Sequence, residues 1–318
     1  MASRPQVLIT GGGGFIGAQL ARKLVAAGIR PCLLVNSTST GPSWRLRDIW
    51  ASICVHEANL LDSQALEEQI RMHPPGIVYH LAAFTHAARS WPRAAECFRV
   101  NVEGTLNLVC SVARFSADCH IVYASTCEVY GRAESPQRAG ASELRPLTPY
   151  ASSKLAGEDI CRLYATRGDV FTSIVRIFNV FGPAQAPDRI IPEAIVAALH
   201  GRDLSVSSGT QTRDFVYLDD VIKGLLSLNT PVRHESQLVD FASGSPLSIR
   251  SVVERIYSAV SRNGRPLFGA LSDRSNELWS VFGDPTDLRA SLQGPGTPFD
   301  EGLMCTLTWY GEHLALWS

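Results

Sequence analysis

The sequence contains no CxxC pair, no cysteine and histidine cluster at zinc-site spacing, no unbroken apolar run of about 18 residues, and almost no net charge. Each absence excludes something. The eight cysteines, at 32, 54, 97, 110, 119, 127, 161 and 305, are scattered, so the chain reads as a protein of reduced thiols in a cytoplasm, with no metal centre. Without a long apolar run there is no membrane-spanning helix. A formal net charge of -1 argues against a dedicated nucleic-acid or membrane-surface binder. The chain enters an apolar strand by residue 7, which leaves no room for a signal peptide. Repeats, low-complexity tails and blocks of charge are also missing. What is present is an ordinary globular composition: 318 residues, 45% hydrophobic and 19% charged, enough for one large domain or two interleaved ones.

Short apolar runs alternate with amphipathic stretches through the first two thirds, the pattern of a parallel sheet covered by helices on both faces. The runs predict strands over 7–10, 31–35, 52–57, 76–81, 120–124, 171–178 and 238–241, and helices over 15–27, 63–72, 97–115 and 149–167. From 182 to 212 and again from 243 onward, Pro, Gly and Ser become frequent and strand periodicity weakens. The expected fold is therefore α/β: a Rossmann-type, doubly wound parallel sheet with a smaller, interleaved C-terminal lobe for the substrate. Residues 1–178 with about 214–242 form the first part, and about 179–213 with 243–318 the second.

The strand VLIT (7–10) runs into GGGGFIG (11–17) and then into a helix with Ile16, Leu20 and Leu24 on one face. Glycines allow the tight turn, the approach of a pyrophosphate to backbone N–H groups and the close packing of helix on sheet. The helix N-terminus adds partial positive charge. Gly11, Gly14, Phe15, Ile16 and Gly17 thus form a dinucleotide turn. An acidic residue usually follows the second strand to hold the ribose hydroxyls of NAD. Here Asn36, Ser37 and Thr38 stand there instead, so a 2'-phosphate meets no carboxylate, which leans the choice between NAD and NADP toward NADP. Asn59 and Leu60 mark the adenine position, and Leu81, Ala82 and Ala83 the inner ribose. His80 reads as a packed strand-end histidine.

Tyr150 and Lys154 lie four residues apart on one predicted helix and share a face. Free tyrosine titrates near pH ~10, and a lysine ammonium with a positive nicotinamide ring beside it favours the phenolate. With the glycine turn and a polar strand end at Ser125 and Thr126, this is the equipment of a base that removes a hydroxyl proton while hydride leaves.

These residues, with TGGGGFIG, HLAA, NVEGT (101–105), STCEVYG (125–131), PYASSK (149–154), RIFNVFGP (176–183), RDFVYLDD (213–220) and DEGLMCTLTWY (300–310), resemble the extended short-chain dehydrogenase/reductase family acting on nucleotide sugars. The resemblance covers nearly the whole chain. It implies that Thr126 bonds the sugar 4-hydroxyl, that Tyr150 takes its proton, and that Lys154 holds the ribose and tunes Tyr150. It adds Asn101 to the cofactor set, and Thr85, His86, Asn179, Arg189 and Arg213 to the substrate set. It also implies a homodimer through the helices over 97–115 and 149–167.

Within the family, 4-epimerases carry small or inert residues after the hydroxyl, 4,6-dehydratases read Thr-Asp-Glu and glucuronate decarboxylases Thr-Ser-Glu. This chain reads Thr126-Cys127-Glu128. A C4 ketone acidifies the C5 proton, and Glu128 suits its removal. An aspartic acid that protonates the departing 6-hydroxyl must stay protonated at pH 7, at roughly 4 kcal/mol; a thiol titrating near ~8.5 already is. Cys127 therefore suits the proton donor, with a small buried hydrophobe as the plainer reading. STCEVYG resembles the NDP-hexosamine 5,6-dehydratase of the tunicamycin-pathway type, alongside the NDP-hexose 4,6-dehydratases. A segment from Arg274 to Pro285 resembles one in GDP-mannose 4,6-dehydratases, which implies Arg274 on a diphosphate and Glu277 on ribose hydroxyls, a chemically sensible pairing.

The expectation is a redox-neutral lyase of antibiotic biosynthesis acting on a nucleotide-diphosphate hexose, GDP- or UDP-linked, with NAD or NADP recycled in place. Hydride returning to C4 gives a 5,6-ene; returning to C6 gives a 4-keto-6-deoxy sugar. Decarboxylation or 4-epimerisation are the rival reactions. A catalytically idle, cofactor-sensing regulator is the rival from another class; it predicts a damaged Thr126, Tyr150 or Lys154, and all three are present.

Overall fold

The computed structural model describes residues 6–36, 43–132, 135–228, 234–260, 262–274 and 277–317. Its strands are β1 (Val7–Thr10), β2 (Cys32–Val35), β3 (Cys54–Glu57), β4 (Ile77–His80), β5 (His120–Thr126), β6 (Phe171–Ile177), β7 (Asn179–Phe181), β8 (Leu204–Val206), β9 (Thr212–Tyr217), β10 (Ser236–Phe241), β11 (Pro246–Ser248), β12 (Pro266–Phe268) and β13 (Ser280–Val281). A seven-stranded sheet has the order β10-β6-β5-β4-β1-β2-β3, parallel across its β5-β4-β1-β2-β3 half. Strand β1 is buried along its whole length, as both-face coverage by helices requires, and its all-apolar start follows from that. This is the expected Rossmann-type sheet, and the seven predicted strands are its seven strands.

The chain divides into two compact units: residues 1–129, 144–176 and 224–239 form one, and 130–143, 177–223 and 240–318 the other. Segments 130–143 and 214–223, assigned by sequence to the first part, cluster with the second. In the first unit, Leu8, Val78, Ile121 and Ile174 of the sheet pack with Leu66, Ile70, Leu108 and Val112 of the covering helices. Helices begin where capping chemistry dictates. Asp62 accepts from the Ala65 N–H at 3.0 Å before α2 (Ser63–Met72), the second helix after α1 (Phe15–Ala26). Thr148 accepts from the Ala151 N–H at 3.0 Å before the helix Pro149–Thr166, with Pro149 in its first turn.

The long helix predicted over 97–115 is interrupted. Helix Ala94–Phe98 passes into a π-helical turn, Arg99–Glu103, before the α-helix resumes at Gly104–Phe115. The widened turn brings Asn101 into the interior, and a period-3.6 reading of apolar residues has no means of registering it.

In the second unit, where periodicity is weak, short strands nevertheless form. Strand β9 pairs with β11 antiparallel and with β13 and β7 parallel, and β12 pairs with β8. They are two to six residues long, too short to display an alternation. Their core collects Phe181, Ile195, Phe215, Val253, Ile256 and Leu303. Asp214, fully buried in β9, accepts from the N–H groups of Ser243, Gly244 and Gly283 and from the Ser243 hydroxyl at 2.6–3.1 Å, and so ties three segments together. Among the described residues no helix is long and apolar enough to cross a membrane.

Cys32, Cys54 and His56, dispersed in sequence, meet at the starts of β2 and β3 because those strands lie side by side in register.

Candidate active site

The turn after β1 is shaped by what cannot fit. Gly11 has φ +71°, and a Cβ there would meet the Ala82 nitrogen at 2.7 Å. At Gly17 a Cβ would enter the Gly11 carbonyl oxygen and lie 2.8 Å from the Gly12 Cα. Gly14 caps α1 with no side-chain bond, and no acidic residue stands in the first turn. An uncapped helix start under a tight glycine turn is a fitting cradle for a pyrophosphate. Phe15 and Ile16 begin the helix and are half-buried.

Behind this turn a hydrogen-bond chain locks the sheet. The Ala82 N–H donates to Thr10 Oγ1 at 3.2 Å, Thr10 pairs with His80 Nδ1 at 2.7 Å, His80 Nε2 with Thr105 Oγ1 at 2.9 Å, and the Thr105 hydroxyl donates to the Asn101 carbonyl at 2.6 Å. Because Thr105 gives its proton to Asn101, it must accept from His80, which fixes the neutral Nε2–H tautomer and makes Thr10 the donor to Nδ1. Burial, with the Lys154 charge, pushes His80 down to about 3. His80 is thus the packed strand-end histidine that its position suggests.

Asn101, expected in the cofactor set, is held by protein groups. Its Oδ1 accepts from the Phe84 N–H at 2.7 Å, and its Nδ2 donates to the Phe84 carbonyl at 3.1 Å and to Ser153 Oγ at 2.9 Å. Both ends of the amide are occupied by protein, so Asn101 fastens the segment after β4 to the helix carrying Tyr150. Asn59 is exposed and accepts from the Leu61 N–H at 2.9 Å, while the Leu60 carbonyl takes the Asn107 amide at 2.9 Å. Leu81, Ala82 and Ala83 are half-buried after β4; Asn36 is exposed after β2. Ser37 and Thr38 lie outside the described residues.

Strand β5 ends at Thr126, and the next turn carries Cys127 and Glu128. Thr126 and Cys127 are buried and Glu128 is half-buried. The Glu128 N–H donates to Thr126 Oγ1 at 3.3 Å, and the Thr148 hydroxyl donates to Glu128 Oε2 at 3.5 Å. Thr148 is the N-cap of Pro149–Thr166, so the acid of the turn and the start of the helix holding Tyr150 share a bond. That helix is pinned again where its Tyr150 N–H donates to Ser90 Oγ at 3.2 Å. Thr85 is exposed and His86 half-buried just before Ala87–Ser90, the short helix that contains Ser90.

Lys154 is 3% exposed. Burial pushes its ammonium down to about 8, against the opposing pull of Cys161, Glu158 and Cys97. Deeper on the same helix lies a group that sequence reasoning missed. Glu158, fully buried, receives Arg176 in a two-pronged pair at 2.9 and 2.7 Å, Arg162 at 2.6 Å and the Ser125 hydroxyl at 2.5 Å. Burial pushes the Glu158 carboxyl up, but Arg176, Ser125 and Arg162 outweigh it and hold it below its ordinary value. The signal was available: Glu158 follows Lys154 by four residues and so continues the Tyr150–Lys154 face.

In the second unit, Asn179 opens β7 with its buried Oδ1 lacking a hydrogen-bond partner. Such an orphaned acceptor marks a place for a donor from elsewhere. Arg189 precedes the helix Ile190–Leu199 and lies 3.9 Å from Asp188. Arg213 and Glu277 are brought together as an ion pair at 2.5 Å, both largely buried. Arg274, by contrast, is exposed.

The chain is 30% identical, over 324 residues, to the UDP-N-acetyl-α-D-glucosaminuronate decarboxylase of Bacillus cytotoxicus, with 97% of this chain and 98% of that one covered. It is 28% identical over 331 residues to the dTDP-D-glucose 4,6-dehydratase of Bos taurus, covering 98% and 90%. The structure of TunA, an NAD-dependent NDP-hexosamine 5,6-dehydratase involved in tunicamycin biosynthesis, matches with a TM-score of 0.82 at 30% identity, over 96% of this chain and 97% of TunA. Residues 7–237 match the NAD dependent epimerase/dehydratase family, and with this the chain belongs to that family of extended short-chain dehydrogenase/reductase enzymes.

Proposed function

We propose that this protein is a nucleotide-sugar 5,6-dehydratase that uses a recycled NAD or NADP. The observation carrying the reading is the turn after β5, where the Glu128 N–H rests on Thr126 Oγ1 at 3.3 Å and its carboxylate takes the hydroxyl of the helix cap Thr148. The backbone bond fixes the turn that follows the candidate hydroxyl, Thr148 orients the carboxylate of Glu128, and an acid on that turn suits a proton abstraction next to the carbon being oxidised. The nicotinamide cofactor, when bound, supplies the hydride acceptor at C4 and later the hydride donor. Tyr150 removes the 4-hydroxyl proton while Thr126 hydrogen-bonds that oxygen, and Lys154 holds positive charge below. Glu128 takes the C5 proton, and the 6-hydroxyl leaves as water with the proton of Cys127. Transfer of the proton from Glu128 to the neighbouring thiolate restores both groups. With hydride returned to C4 and the Tyr150 proton to its oxygen, the product is a 5,6-ene with its 4-hydroxyl restored, one water lighter than the substrate.

We read Asn179, Arg189, Arg213, Arg274 and Glu277 as the set for a nucleoside diphosphate, UDP or GDP, and Asn36 as tolerant of the 2'-phosphate of NADP. The likeness to TunA at 30% identity supports the 5,6-ene outcome. The likeness to a glucosaminuronate decarboxylase, also at 30%, makes loss of carbon dioxide from a nucleotide hexuronate the second reading. Exposed Phe98, Leu106 and Leu163, on the helices Ala94–Phe98, Gly104–Phe115 and Pro149–Thr166, support a homodimer.

Incubation with UDP-, GDP- and dTDP-linked hexoses, hexosamines and hexuronates, followed by proton NMR, tests the assignment. Exocyclic vinyl signals are expected. A 6-methyl doublet would replace it with 4,6-dehydration, released carbon dioxide with decarboxylation, and an isobaric sugar with epimerisation.

A further inference from the structure

At the end of the large sheet away from the glycine turn, the first residues of β2 and β3 are both cysteine, and Cys32 and Cys54 are register partners on adjacent parallel strands. His56 follows Cys54 by two residues, so its side chain leaves the strand on the same face. The Cys32 Sγ, the Cys54 Sγ and a His56 ring nitrogen all lie within 4.8 Å of one another, and Cys54 Sγ to His56 Nε2 is 3.5 Å. Around a tetrahedral zinc ion, with Zn–S about 2.3 Å and Zn–N about 2.0–2.1 Å, sulfur and nitrogen ligands stand about 3.5 Å apart.

We propose that Cys32, Cys54 and His56 form a binding site for a soft divalent cation, zinc foremost, that staples β2 to β3.

The surroundings suit such an ion. Gln6 Nε2 donates to Cys32 Sγ at 3.1 Å, the kind of outer hydrogen bond that orients a thiolate ligand. The His73 ring stacks on His56, with centroids 4.3 Å apart and an interplanar angle of 27°, and so restrains the imidazole. A small cleft bounded by Gln6, Cys32, His56, Gln69 and His73 gives the ion an approach. Two thiolates neutralise the dication, leaving no net charge in a half-buried place. Binding releases the two thiol protons to solvent; no oxidant or reductant takes part. Two sulfurs and a nitrogen select zinc over magnesium or calcium, and solvent completes the tetrahedron. Linear spacing conceals the set, because the cysteines stand 22 positions apart and only strand register joins them.

The full-length protein, reduced and stripped with a chelator, is titrated with zinc and separately with cobalt. One zinc per chain is expected, together with a raised melting temperature and, for cobalt, a sulfur-to-metal charge-transfer band with the intense visible bands of a tetrahedral ion. Cys54→Ser and His56→Gln, at half-buried positions where folding should survive, are expected to abolish the charge-transfer band or the stoichiometry, and Gln6→Ala to weaken binding by about 10- to 100-fold. Absence of a stoichiometric site in the folded, reduced protein overturns the proposal. So does binding that both Cys54→Ser and His56→Gln leave unchanged, or a Cys32–Cys54 disulfide whose reduction yields no metal affinity.

Discussion

The Lys154 ammonium lies 4.1 Å from the centroid of the Tyr123 ring, while the Tyr123 hydroxyl donates to the Lys154 carbonyl at 3.2 Å. The strand residue below the helix thus holds both the backbone and the charge of the lysine. A cation over a desolvated aromatic face is stabilised by up to about 2 kcal/mol. Tyr123→Phe retains the face and loses one hydrogen bond, so a cost of about 1 kcal/mol is expected in denaturant unfolding, with turnover nearly intact. Tyr123→Leu removes the face too, and its kcat should fall further than its stability predicts.

For Glu128→Gln, the proposed chemistry separates into two halves. Elimination should slow by about 100- to 10,000-fold as the C5 base is lost. Oxidation at C4 should persist, visible as transient nicotinamide absorbance, while deuterium exchange at C5 followed by NMR disappears. Unchanged C5 exchange would remove Glu128 from the mechanism.

Glu158→Gln leaves Arg176 buried without its carboxylate. The expected loss is about 3–5 kcal/mol of unfolding free energy, and the paired replacement Glu158→Leu with Arg176→Met should recover most of it. Since the folded Glu158 carboxyl titrates below its ordinary value, the stability it contributes is present above its unfolded pKa of 4.5 and is lost as pH falls through the folded one.

His80 supplies a second pH signature, in a higher window. Its folded pKa of about 3 lies under the ordinary 6.5, so the fold binds the neutral ring, and stability declines as pH falls from 6.5 toward 3. Between 6.5 and about pH 5 the decline from this residue should approach about 2 kcal/mol. Urea unfolding across that range should show a shallower pH slope for His80→Gln than for the parent protein, even if the variant is less stable throughout.

The sheet was legible because its signals are local. A strand such as VLIT, buried on both faces, is apolar up to its last residue, Thr10, whose hydroxyl is fully paired, and Gly11 and Gly17 follow it at fixed offsets because no Cβ fits there. Tyr150 and Lys154 stand out by helical spacing. For Asn101 the motif locates the residue, but the π-turn decides that its amide faces Phe84 and Ser153. The second unit was harder, since strands of a few residues held by one buried Asp214 leave little periodicity to read.

By itself the amino-acid sequence determined the fold class, the tight glycine turn after β1 and the family's polar residues, all products of short-range geometry and of which side chains a backbone tolerates. Tertiary structure alone decided the partners: Glu158 with Arg176, Arg213 with Glu277, His80 between Thr10 and Thr105, and Cys32 beside Cys54 and His56. Hydrogen bonds and ion pairs act over a few ångströms, and only the folding of distant segments onto neighbouring strands and helices brings such atoms that close.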